Sequence, residues 1–415
     1  MSKRLPVVVA VLVLAWALPA AAQIEIRMMT YGDQFEAYRA IEEAFNASHP
    51  GYKLVIEASP YAEYISKVQV NILAGTPPDV FQAWAQYKPT WVEQGILLEL
   101  DDYWAKSEIA QNAELYPFVL DAAMYNGKIY GVPHDFNPFI MFLNVDEFDR
   151  AGIPLPDENW TVDDMIRYAI RLNDPARGVW GVQLNGHWSI NNWQWAVLYN
   201  GHGWLSDDRT RVLVDEPEMI DMLEMWYDLV FTRQVANPAG WDPSATQQYA
   251  GAYAIWQGWT GWSFRVASDA TYNWALATFP KGPANNYSFA QGHLWAVPAN
   301  VPDPDKSWMV LEWLLSPEGQ AVIVEAEHRQ PLSPDPDLWA TYFEQLPADK
   351  RQEVQDFIMG VVYGKNLIHN MQYFPDFDRA DQIMNANLNT IFYENQSPAT
   401  AMQTAAEQLR ALLGL

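Results

Sequence analysis

The chain has 415 residues and a formal net charge of −26 at pH 7, from 51 acidic residues against 25 lysines and arginines. Such an acidic chain repels phosphate backbones and anionic lipid headgroups, which excludes nucleic acids and membrane surfaces as favourable partners. Hydrophobic residues make up 50% of the chain, which indicates a globular protein with two or three domain-sized cores. Because there is no cysteine, the sequence offers no disulfide, thiolate metal site, thiol nucleophile or lipid-anchoring thiol.

The N-terminus has the pattern of an export signal. Two basic residues precede an apolar stretch at residues 5–18, and the small residues 20–22 form a cleavage site before Gln23. The apolar stretch is too short for a comfortable membrane span. We therefore expect residues 1–22 to be a signal peptide that is removed on export to the periplasm. The alternative is that the segment stays on the protein as a membrane anchor.

After this segment, strands and helices alternate. Strands are predicted at residues 24–30, 52–58 and 79–84, and amphipathic helices at residues 35–45 and 61–74. This order gives right-handed βαβ units, and hence an α/β protein with a parallel sheet flanked by helices.

Ligands of parallel sheets bind at the loops that follow the carboxyl ends of the strands. The side chains at these ends include Tyr31, Asp33, Tyr61 and Trp84, and we expect them to contact a ligand. For Tyr61 and Trp84 the alternative is that the ring only covers the edge of the sheet.

Residues 124–161 contain the most distinctive pattern of the chain. Asn126 and Gly127 predict a tight turn, because glycine accepts the positive φ that such turns require. Thr161 and Asp164 form a capping-box pattern, which predicts the start of a helix.

The same stretch carries a resemblance to a known family. It contains Gly-Lys-Ile-Tyr-Gly-Val-Pro at 127–133, Phe-Leu-Asn at 142–144, Phe-Asp-Arg-Ala-Gly-Ile-Pro at 148–154 and Asn-Trp-Thr at 159–161. These runs resemble the signature of family 1 extracellular solute-binding proteins, the sugar-capturing components of bacterial ABC importers, which include maltose-binding proteins. The resemblance implies a two-lobe periplasmic-binding-protein fold of type II, with a central sheet in each lobe and a hinged cleft between them.

In the resembled family this stretch is the first crossing between the lobes. Asp135 and Phe136 lie in its loop, and we expect both to bind the ligand. Lobe 1 is expected to comprise residues 23–137 and 290–333, and lobe 2 residues 138–289 and 334–415.

Beyond the crossing, residues 188–195 are rich in tryptophan and asparagine. Trp188 and Asn191 combine a flat apolar face with an amide, and a pyranose needs both for its C–H face and its hydroxyls. We predict that these two residues bind the ligand. For Trp193 and Trp195 the alternative is burial in the core of a helix.

A helix is predicted to follow Asp215 as its cap, with Trp226 among methionines and leucines at helical spacing. This periodicity is typical of core packing, so Trp226 is predicted to be buried.

Residues 256–262 contain three tryptophans separated by glycines. Trp256, Trp259 and Trp262 cannot all lie on a packed helix, because the glycines break a helix or allow a close backbone approach. The resembled family has a ligand-stacking aromatic residue at the matching place. We therefore predict all three as ligand-binding, with Trp259 first.

Four further residues complete the predicted site. Gln291 and His293 lie in a turn that loosely matches the second crossing of the family, and Arg329 begins the segment that resembles the third. Tyr373 belongs to an aromatic and acidic loop that can close over a ligand.

The sequence contains no recognisable catalytic motif. It lacks the nucleophile elbow, the P-loop and the zinc-protease helix, and its seven histidines have no metal-ligand spacing. We therefore expect no catalytic residue, no metal site and no cofactor. The main alternative is a secreted glycoside hydrolase, which also has aromatic subsites and needs only two carboxylates. Another alternative is the same fold with a non-sugar solute, such as a peptide or a glycerol phosphate ester.

Taken together, the sequence predicts an exported monomer that captures a sugar or oligosaccharide in a cleft between two lobes. The resemblance implies that the lobes close on the sugar and that the closed protein delivers it to the membrane subunits of an ABC transporter.

Overall fold

Two mixed β-sheets form the framework of the protein. The computed structural model describes residues 23–32, 34–184, 189–238, 245–365, 367–371 and 373–415, so the predicted signal peptide, Asp33 and Trp188 lie outside the described residues. The strands are β1 (Ile24–Tyr31), β2 (Tyr52–Ser59), β3 (Val80–Ala83), β4 (Met124–Tyr125), β5 (Lys128–Ile129), β6 (Val132–Pro133), β7 (Asn137–Asn144), β8 (Trp180–Val182), β9 (Tyr253–Trp259), β10 (Trp274–Ala277), β11 (Ser288–Gln291), β12 (Leu294–Ala296) and β13 (Ile368–Asn370).

Helices pack against both sheets. They are α1 (Phe35–Ser48), α2 (Tyr61–Leu73), α3 (Lys88–Glu93), α4 (Asp101–Lys106), α5 (Glu108–Asn112), α6 (Pro117–Ala123), α7 (Val145–Ala151), α8 (Val162–Leu172), α9 (Ser189–Asn200), α10 (Pro217–Tyr227), α11 (Ala245–Tyr249), α12 (Ser263–Asp269), α13 (Pro304–Leu315), α14 (Pro317–Glu327), α15 (Pro336–Glu344), α16 (Ala348–Gln355), α17 (Phe377–Glu394) and α18 (Pro398–Leu413). Short 3₁₀ helices lie at Pro175–Arg177 and Thr260–Trp262, and π-helical turns at Asp228–Thr232 and Asp356–Tyr363.

The first sheet has the strand order β2-β1-β3-β12-β6. β1 pairs in parallel with both β2 and β3, which confirms the predicted βαβ units. β12 and β6 extend this sheet in antiparallel orientation. Alternate residues of β1 enter different cores: Met28 packs with Ile41 and Phe45 of α1, whereas Met29 packs with Tyr64 of α2. The sheet is therefore covered on both faces.

The second sheet has the order β13-β11-β7-β9-β8, and β10 also pairs with β7. β7 is its central strand, and it is buried along nearly its whole length. Its residues alternate between two cores: Met141 and Leu143 face one, and Ile140 and Phe142 face the other. The alternation follows from the period of two of a β-strand. Mixed sheets with flanking helices confirm the predicted α/β fold class.

The chain passes between the two sheets at places close to those expected. Residues 134–136 connect β6 of the first sheet to β7 of the second, and residues 292–293 connect β11 back to β12. After α14, which packs against α1, residues 328–335 lead toward α15 and finally to β13 of the second sheet.

Several local signals predicted from the sequence are confirmed. Thr161 and Asp164 exchange the two hydrogen bonds of a capping box at the start of α8. Asn126 and Gly127 have φ values of 50° and 75°, and they form the two-residue turn between β4 and β5. Trp226 is fully buried, as its helical spacing predicted.

The prediction that Asp215 caps a helix is wrong. α10 begins at Pro217, and Glu216 is the residue that precedes it. The Asp215 carboxylate accepts two hydrogen bonds from Arg410 instead, at 2.8 and 2.9 Å. Long-range pairing with α18 thus occupies the oxygens that a cap would use.

None of the helices within the described ranges has the length and apolar character that crossing a membrane requires.

Candidate functional site

An aromatic shelf lies at the carboxyl end of the first sheet. Tyr31 ends β1, Tyr61 begins α2 directly after β2, and Trp84 follows β3, so three neighbouring strands supply the three rings. The Tyr61 and Trp84 rings stack with centroids 4.4 Å apart, and Tyr31 meets them edge-on at 5.3 and 5.2 Å. We call Tyr31, Tyr61 and Trp84 the aromatic shelf.

The shelf offers one open ring on a rigid base. Tyr61 is 59% exposed, whereas Trp84 beneath it is 5% exposed. The Tyr31 carbonyl accepts a hydrogen bond from the Tyr38 hydroxyl at 2.6 Å, which fixes the end of β1. An exposed aromatic face on a packed support suits the apolar C–H face of a sugar ring.

The phenol of Tyr31 stays protonated in any ordinary buffer. Burial raises its pKa far above the usual value, and the nearby carboxylate of Asp135 raises it further. A neutral hydroxyl can both donate and accept a hydrogen bond, as a sugar hydroxyl also can.

Below the shelf lies a buried charge cluster. Oδ1 of Asp135 accepts hydrogen bonds from the backbone N–H and from Nδ1 of His293, at 2.7 and 3.0 Å. Oδ2 of Asp135 accepts a hydrogen bond from Nη1 of Arg329 at 3.1 Å. Burial alone would raise the pKa of this carboxyl, but His293 and Arg329 outweigh it and hold the pKa well below its usual range. Asp135 is therefore ionised in the folded protein.

The cluster continues through Glu327 and His134. Nε of Arg329 donates to Oε2 of Glu327 at 3.1 Å, and the same carboxylate oxygen lies 3.1 Å from Nε2 of His134. Nδ1 of His134 lies 2.9 Å from the amide nitrogen of Gln82, which is a donor, so Nδ1 is the acceptor and Nε2 carries the proton. The cluster joins residues of the first crossing, the second crossing and the segment after α14.

Three residues predicted to bind a ligand are too buried to do so. Asp135 is 3% exposed, and both of its oxygens are occupied within the charge cluster. Phe136 is 2% exposed and belongs to a hydrophobic cluster with Val119 and Leu332. Trp256 is fully buried. We correct these assignments: Asp135 holds the cluster together, and the two aromatic rings are core.

Trp256 and Trp259 differ because they lie on opposite faces of β9. The Trp256 ring stacks on Phe142 at 4.2 Å, and its Nε1 donates to the Tyr272 hydroxyl at 3.0 Å. The Trp259 ring is only half-buried and contacts Phe139 and Phe289, with centroids 4.6 and 5.2 Å away. Trp259 pairs with Phe139 at the start of β7, directly after the first crossing, which places it at the end of the second sheet nearest the first.

The remaining predicted residues lie at the junction or in the core of the second sheet. Gln291 donates an amide hydrogen bond to Gln86, which follows the shelf residue Trp84, at 3.3 Å. The His293 ring is 6.1 Å from the Tyr31 ring. Trp262 is half-buried against the core that contains Trp256. The others are Asn191, which is 7% exposed on α9, and Tyr373, which is 8% exposed.

A cavity of about 180 Å³ lies between the two sheets, beside the second crossing. The residues that line it come from the segment after β3, from the end of α6 and β4, from the second crossing and from two loops of the other side. They are Ala85, Lys88, Pro89, Asp121, Ala122, Met124, Tyr125, Asn126, Arg209, Ala290, Gly292, Asn370, Met371 and Tyr373. We call it the inter-sheet cavity.

The inter-sheet cavity contains charged residues that the sequence analysis missed. Lys88 is 6% exposed, and its Nζ donates to the carbonyl oxygens of Ala122 and Met124 at 2.5 and 2.6 Å. Arg209 reaches the cavity from the other sheet and donates to the carbonyl oxygen of Tyr373 at 3.3 Å. Neither residue lies in a motif, and only the fold brings them to one place.

A hydrogen bond joins the segments on the two sides of this region. The backbone N–H of Asp376, just before α17, donates to the hydroxyl of Thr90 in α3 at 2.9 Å. The two sides of the cavity are thus in direct contact.

No group of three or more histidine, aspartate or glutamate side chains in the described part of the chain is arranged to hold a metal ion.

The two sheets, the crossings between them and the cavity beside the crossings define a two-lobe binding protein. Comparison with known proteins gives the family: the model for bacterial extracellular solute-binding proteins matches residues 32–321, more than half of the chain. The chain belongs to this family, and the resemblance found at residues 127–161 is confirmed.

Curated relatives match parts of the chain. A binding protein of Brucella abortus is 28% identical over 167 residues, which are 40% of this chain and 39% of that protein. The match thus spans about two fifths of that relative's length. A maltooligosaccharide ABC transporter solute-binding lipoprotein of Streptococcus pneumoniae is 23% identical over 310 residues, 71% of this chain and 70% of the relative.

Solved structures match the fold over nearly the whole chain. An ABC substrate-binding protein of Listeria monocytogenes in complex with cycloalternan has a TM-score of 0.84 at 20% identity, covering 95% of this chain and 100% of that one. A solute-binding protein of Thermotoga lettingae bound to α-D-tagatose has a TM-score of 0.80 at 18% identity, covering 94% and 100%. The fold is that of type II periplasmic binding proteins.

Proposed function

We propose that the protein is exported, captures a sugar between its two lobes and delivers it to an ABC transporter. The observation that carries this proposal is the aromatic shelf. An exposed Tyr61 ring stacked on a buried Trp84 sits at the carboxyl end of the first sheet, in a chain that belongs to the solute-binding family.

The sugars bound by, or named for, similar proteins support the same class of solute. Cycloalternan, tagatose and maltooligosaccharides are named for proteins that share this fold or family.

In this proposal lobe 1 comprises residues 23–137 and 290–333, and lobe 2 comprises residues 138–289 and 334–415. The changes of sheet at residues 134–136 and 292–293 support this division. A sugar held by both lobes binds better when they are together, so binding shifts the population toward the closed form. The membrane subunits of a transporter would recognise that form. Residues 1–22 would be removed on export to the periplasm, where the protein acts as a monomer.

In this proposal Tyr31, Tyr61 and Trp84 form one wall of the site. Asp33 is a further predicted contact and lies outside the described residues. Trp259 and Trp262 contribute from the end of β9 and the turn after it, Asn191 from α9, and Tyr373 from the loop before α17. Trp188 is a further predicted contact and lies outside the described residues. Gln291, His293 and Arg329 are positioned at the junction. The Gln291–Gln86 hydrogen bond and the ring contacts of Trp259 support these assignments.

A binding titration combined with product analysis tests the proposal. Purified residues 23–415 are titrated with D-glucose, D-galactose, D-mannitol and maltose, and the recovered maltose is analysed by chromatography. We expect saturable binding of at least one of the four and intact maltose. Continuous release of glucose from maltose would instead favour a glycoside hydrolase, and no binding to any sugar would contradict the proposal.

A pair of tyrosine variants tests the site. Tyr61→Ala removes the exposed ring of the shelf, and Tyr393→Ala removes another exposed tyrosine, 56% exposed, near the far end of α17. Sixteen residues separate Tyr393 from the start of that helix, about 24 Å at 1.5 Å per residue. Burying such a ring contributes about 1.5–3 kcal/mol, so Tyr61→Ala should weaken binding roughly ten- to hundredfold. Equal losses in both variants would contradict the shelf assignment.

A further inference from the structure

The inter-sheet cavity has a charge that is unusual for this protein. The chain carries about two acidic residues for every basic one, 51 against 25. The charged residues that line the cavity are Lys88, Arg209 and Asp121, and Asp121 is exposed. Basic side chains therefore outnumber acidic ones at this place, the reverse of the chain as a whole.

Lys88 has a cationic group without an anionic partner. Its Nζ uses two of its three donors on the carbonyl oxygens of Ala122 and Met124. No described carboxylate lies within 4 Å of this nitrogen, although most other basic residues of the chain are in ion pairs. A buried cation is normally paired, because burial without a counter-charge is costly.

The effect of this burial appears in the pKa of Lys88. Burial lowers the pKa of this ammonium group to about 7, and the more distant Asp121 offsets only part of the shift. An anion placed at this end of the cavity would stabilise the charged form, because an opposite charge nearby favours ionisation.

Arg209 supplies a second cation from the opposite side. It lies at the tip of the loop 206–211, and its φ of 57° is in the left-handed region that non-glycine residues rarely adopt. Its charge lies near the Tyr125 phenol. Burial and the Glu93 carboxylate raise the pKa of this phenol, and the positive charge of Arg209 offsets part of that rise. Within the described residues Arg209 has no carboxylate partner either.

We propose that the inter-sheet cavity binds a sugar acid, a small polyhydroxylated carboxylate whose acid group lies between Lys88 and Arg209. This inference rests on the proposed function and refines its solute class. Charge-assisted hydrogen bonds are about twice as strong as neutral ones, so the carboxylate would provide much of the selectivity. The small volume of the cavity fits a single acidic ring or a short open-chain acid.

Matched pairs of acid and neutral sugar test the inference. The purified protein is titrated with D-galacturonate and D-galactose, and with D-glucuronate and D-glucose, by calorimetry at pH 6 and low salt. We expect at least one acid to bind about tenfold or more tightly than its neutral partner. If both neutral sugars bind as tightly as the acids, the inference is overturned while the proposed function stands. If neither the acids nor any neutral sugar bind, both fail.

Variants distinguish binding of the acid at this cavity from a general electrostatic effect of the charge of the protein. Arg209→Gln keeps an exposed polar residue at the loop tip, and we expect it to reduce the preference for the acid at least fivefold. Lys88→Met should reduce it further, but it leaves two buried carbonyl groups unpaired and can fail to fold, so Arg209→Gln is the decisive variant. Lys53→Met, at an exposed residue of β2, is the control for loss of one positive charge. An equal loss of preference in Lys53→Met and Arg209→Gln would overturn the inference.

Discussion

Nη1 of Arg329 lies 3.1 Å from Oδ2 of Asp135, although 194 residues separate the two in the chain. Asp135 lies in the first connection between the sheets, and Arg329 lies in the segment that leads from α14 toward the second sheet. His293, on the second connection, binds the other oxygen of the same carboxylate. One buried carboxylate thus ties together the three segments about which the lobes would rotate.

The first prediction concerns the stability that this carboxylate provides. Asp135→Asn keeps the size of the side chain but removes the carboxylate partner of His293 and leaves Arg329 with Glu327 alone. Removing one member of a buried ion pair typically costs about 3–5 kcal/mol, and we expect a loss of this size in the free energy of unfolding from denaturant titration. Asp207→Asn is the control, because the Asp207 side chain is 65% exposed beside His202. Similar small losses in both variants would contradict a structural role for Asp135.

The charge cluster also shows what the sequence could not predict. Asp135, His293 and Arg329 were each identified from loops that resemble the family's crossings, but they were assigned to the ligand. These pairs are separated by 158 and 194 residues in the chain, and spacing along a sequence does not reveal such pairings. Burial, which makes Asp135 structural rather than ligand-binding, depends on the same long-range contacts.

By contrast, elements set by neighbouring residues were predicted well. The alternation of β1, α1, β2, α2 and β3 follows from hydrophobic periodicity, and the cap at Thr161 from two residues three apart. The error at Trp256 has a local cause. The glycines at 258 and 261 suggested a break, whereas β9 continues to Trp259, and strand alternation turns Trp256 and Trp259 to opposite faces.

The second prediction uses the pH dependence of Lys88. Its pKa is lowered to about 7 by burial in the folded protein, against about 10.4 in an unfolded chain. Between these values the unfolded state binds more protons, so the stability of the wild type should rise with pH relative to Lys88→Met. Denaturant titrations at pH 6, 8 and 9.5 measure the difference between the two proteins. We expect Lys88→Met to become increasingly destabilised relative to the wild type as the pH rises.

Lys53→Met is the control for this prediction, because the Lys53 side chain is exposed in the folded protein and loses little contact with water on folding. Its difference from the wild type should not change over the same pH range. A constant difference for Lys88→Met would show that Lys88 is not buried as described.

The third prediction tests how closely α8 packs on the second sheet. A Cβ at Gly181 of β8 would lie 1.9 Å from the carbonyl oxygen of Ala169 in α8, and this backbone atom cannot move without shifting the helix. We expect Gly181→Ala to lower the free energy of unfolding by about 1–3 kcal/mol, the usual effect of overpacking. Gly360→Ala is the control: a Cβ there meets nothing within 4 Å, and alanine should raise helix stability by about 0.5–1 kcal/mol. If Gly181→Ala and Gly360→Ala change the melting temperature by the same amount in the same direction, α8 does not approach β8 as closely as described.

The last prediction separates the tryptophans of the core from those of the proposed site. Trp226 is fully buried and meets Trp195 edge-on at 5.1 Å, so Trp226→Ala should cost about 3–5 kcal/mol of stability through lost burial and a cavity. Trp256→Ala should behave in the same way, because its ring is stacked on Phe142. Trp259 is only half-buried, so Trp259→Ala should lose less stability.

Binding gives the opposite order. Binding is measured without denaturant, at a temperature where all variants are folded, with a sugar that binds the wild type. Under these conditions we expect Trp259→Ala and Trp188→Ala to bind that sugar roughly five- to hundredfold more weakly. Trp226→Ala and Trp256→Ala, once folded, should bind that sugar like the wild type. The measurements are thermal melting and calorimetric titration of the same samples. Loss of a stacking ring would lower the affinity for the sugar without destabilising the protein. If Trp259→Ala instead melts as early as Trp226→Ala and binds the sugar normally, Trp259 belongs to the core.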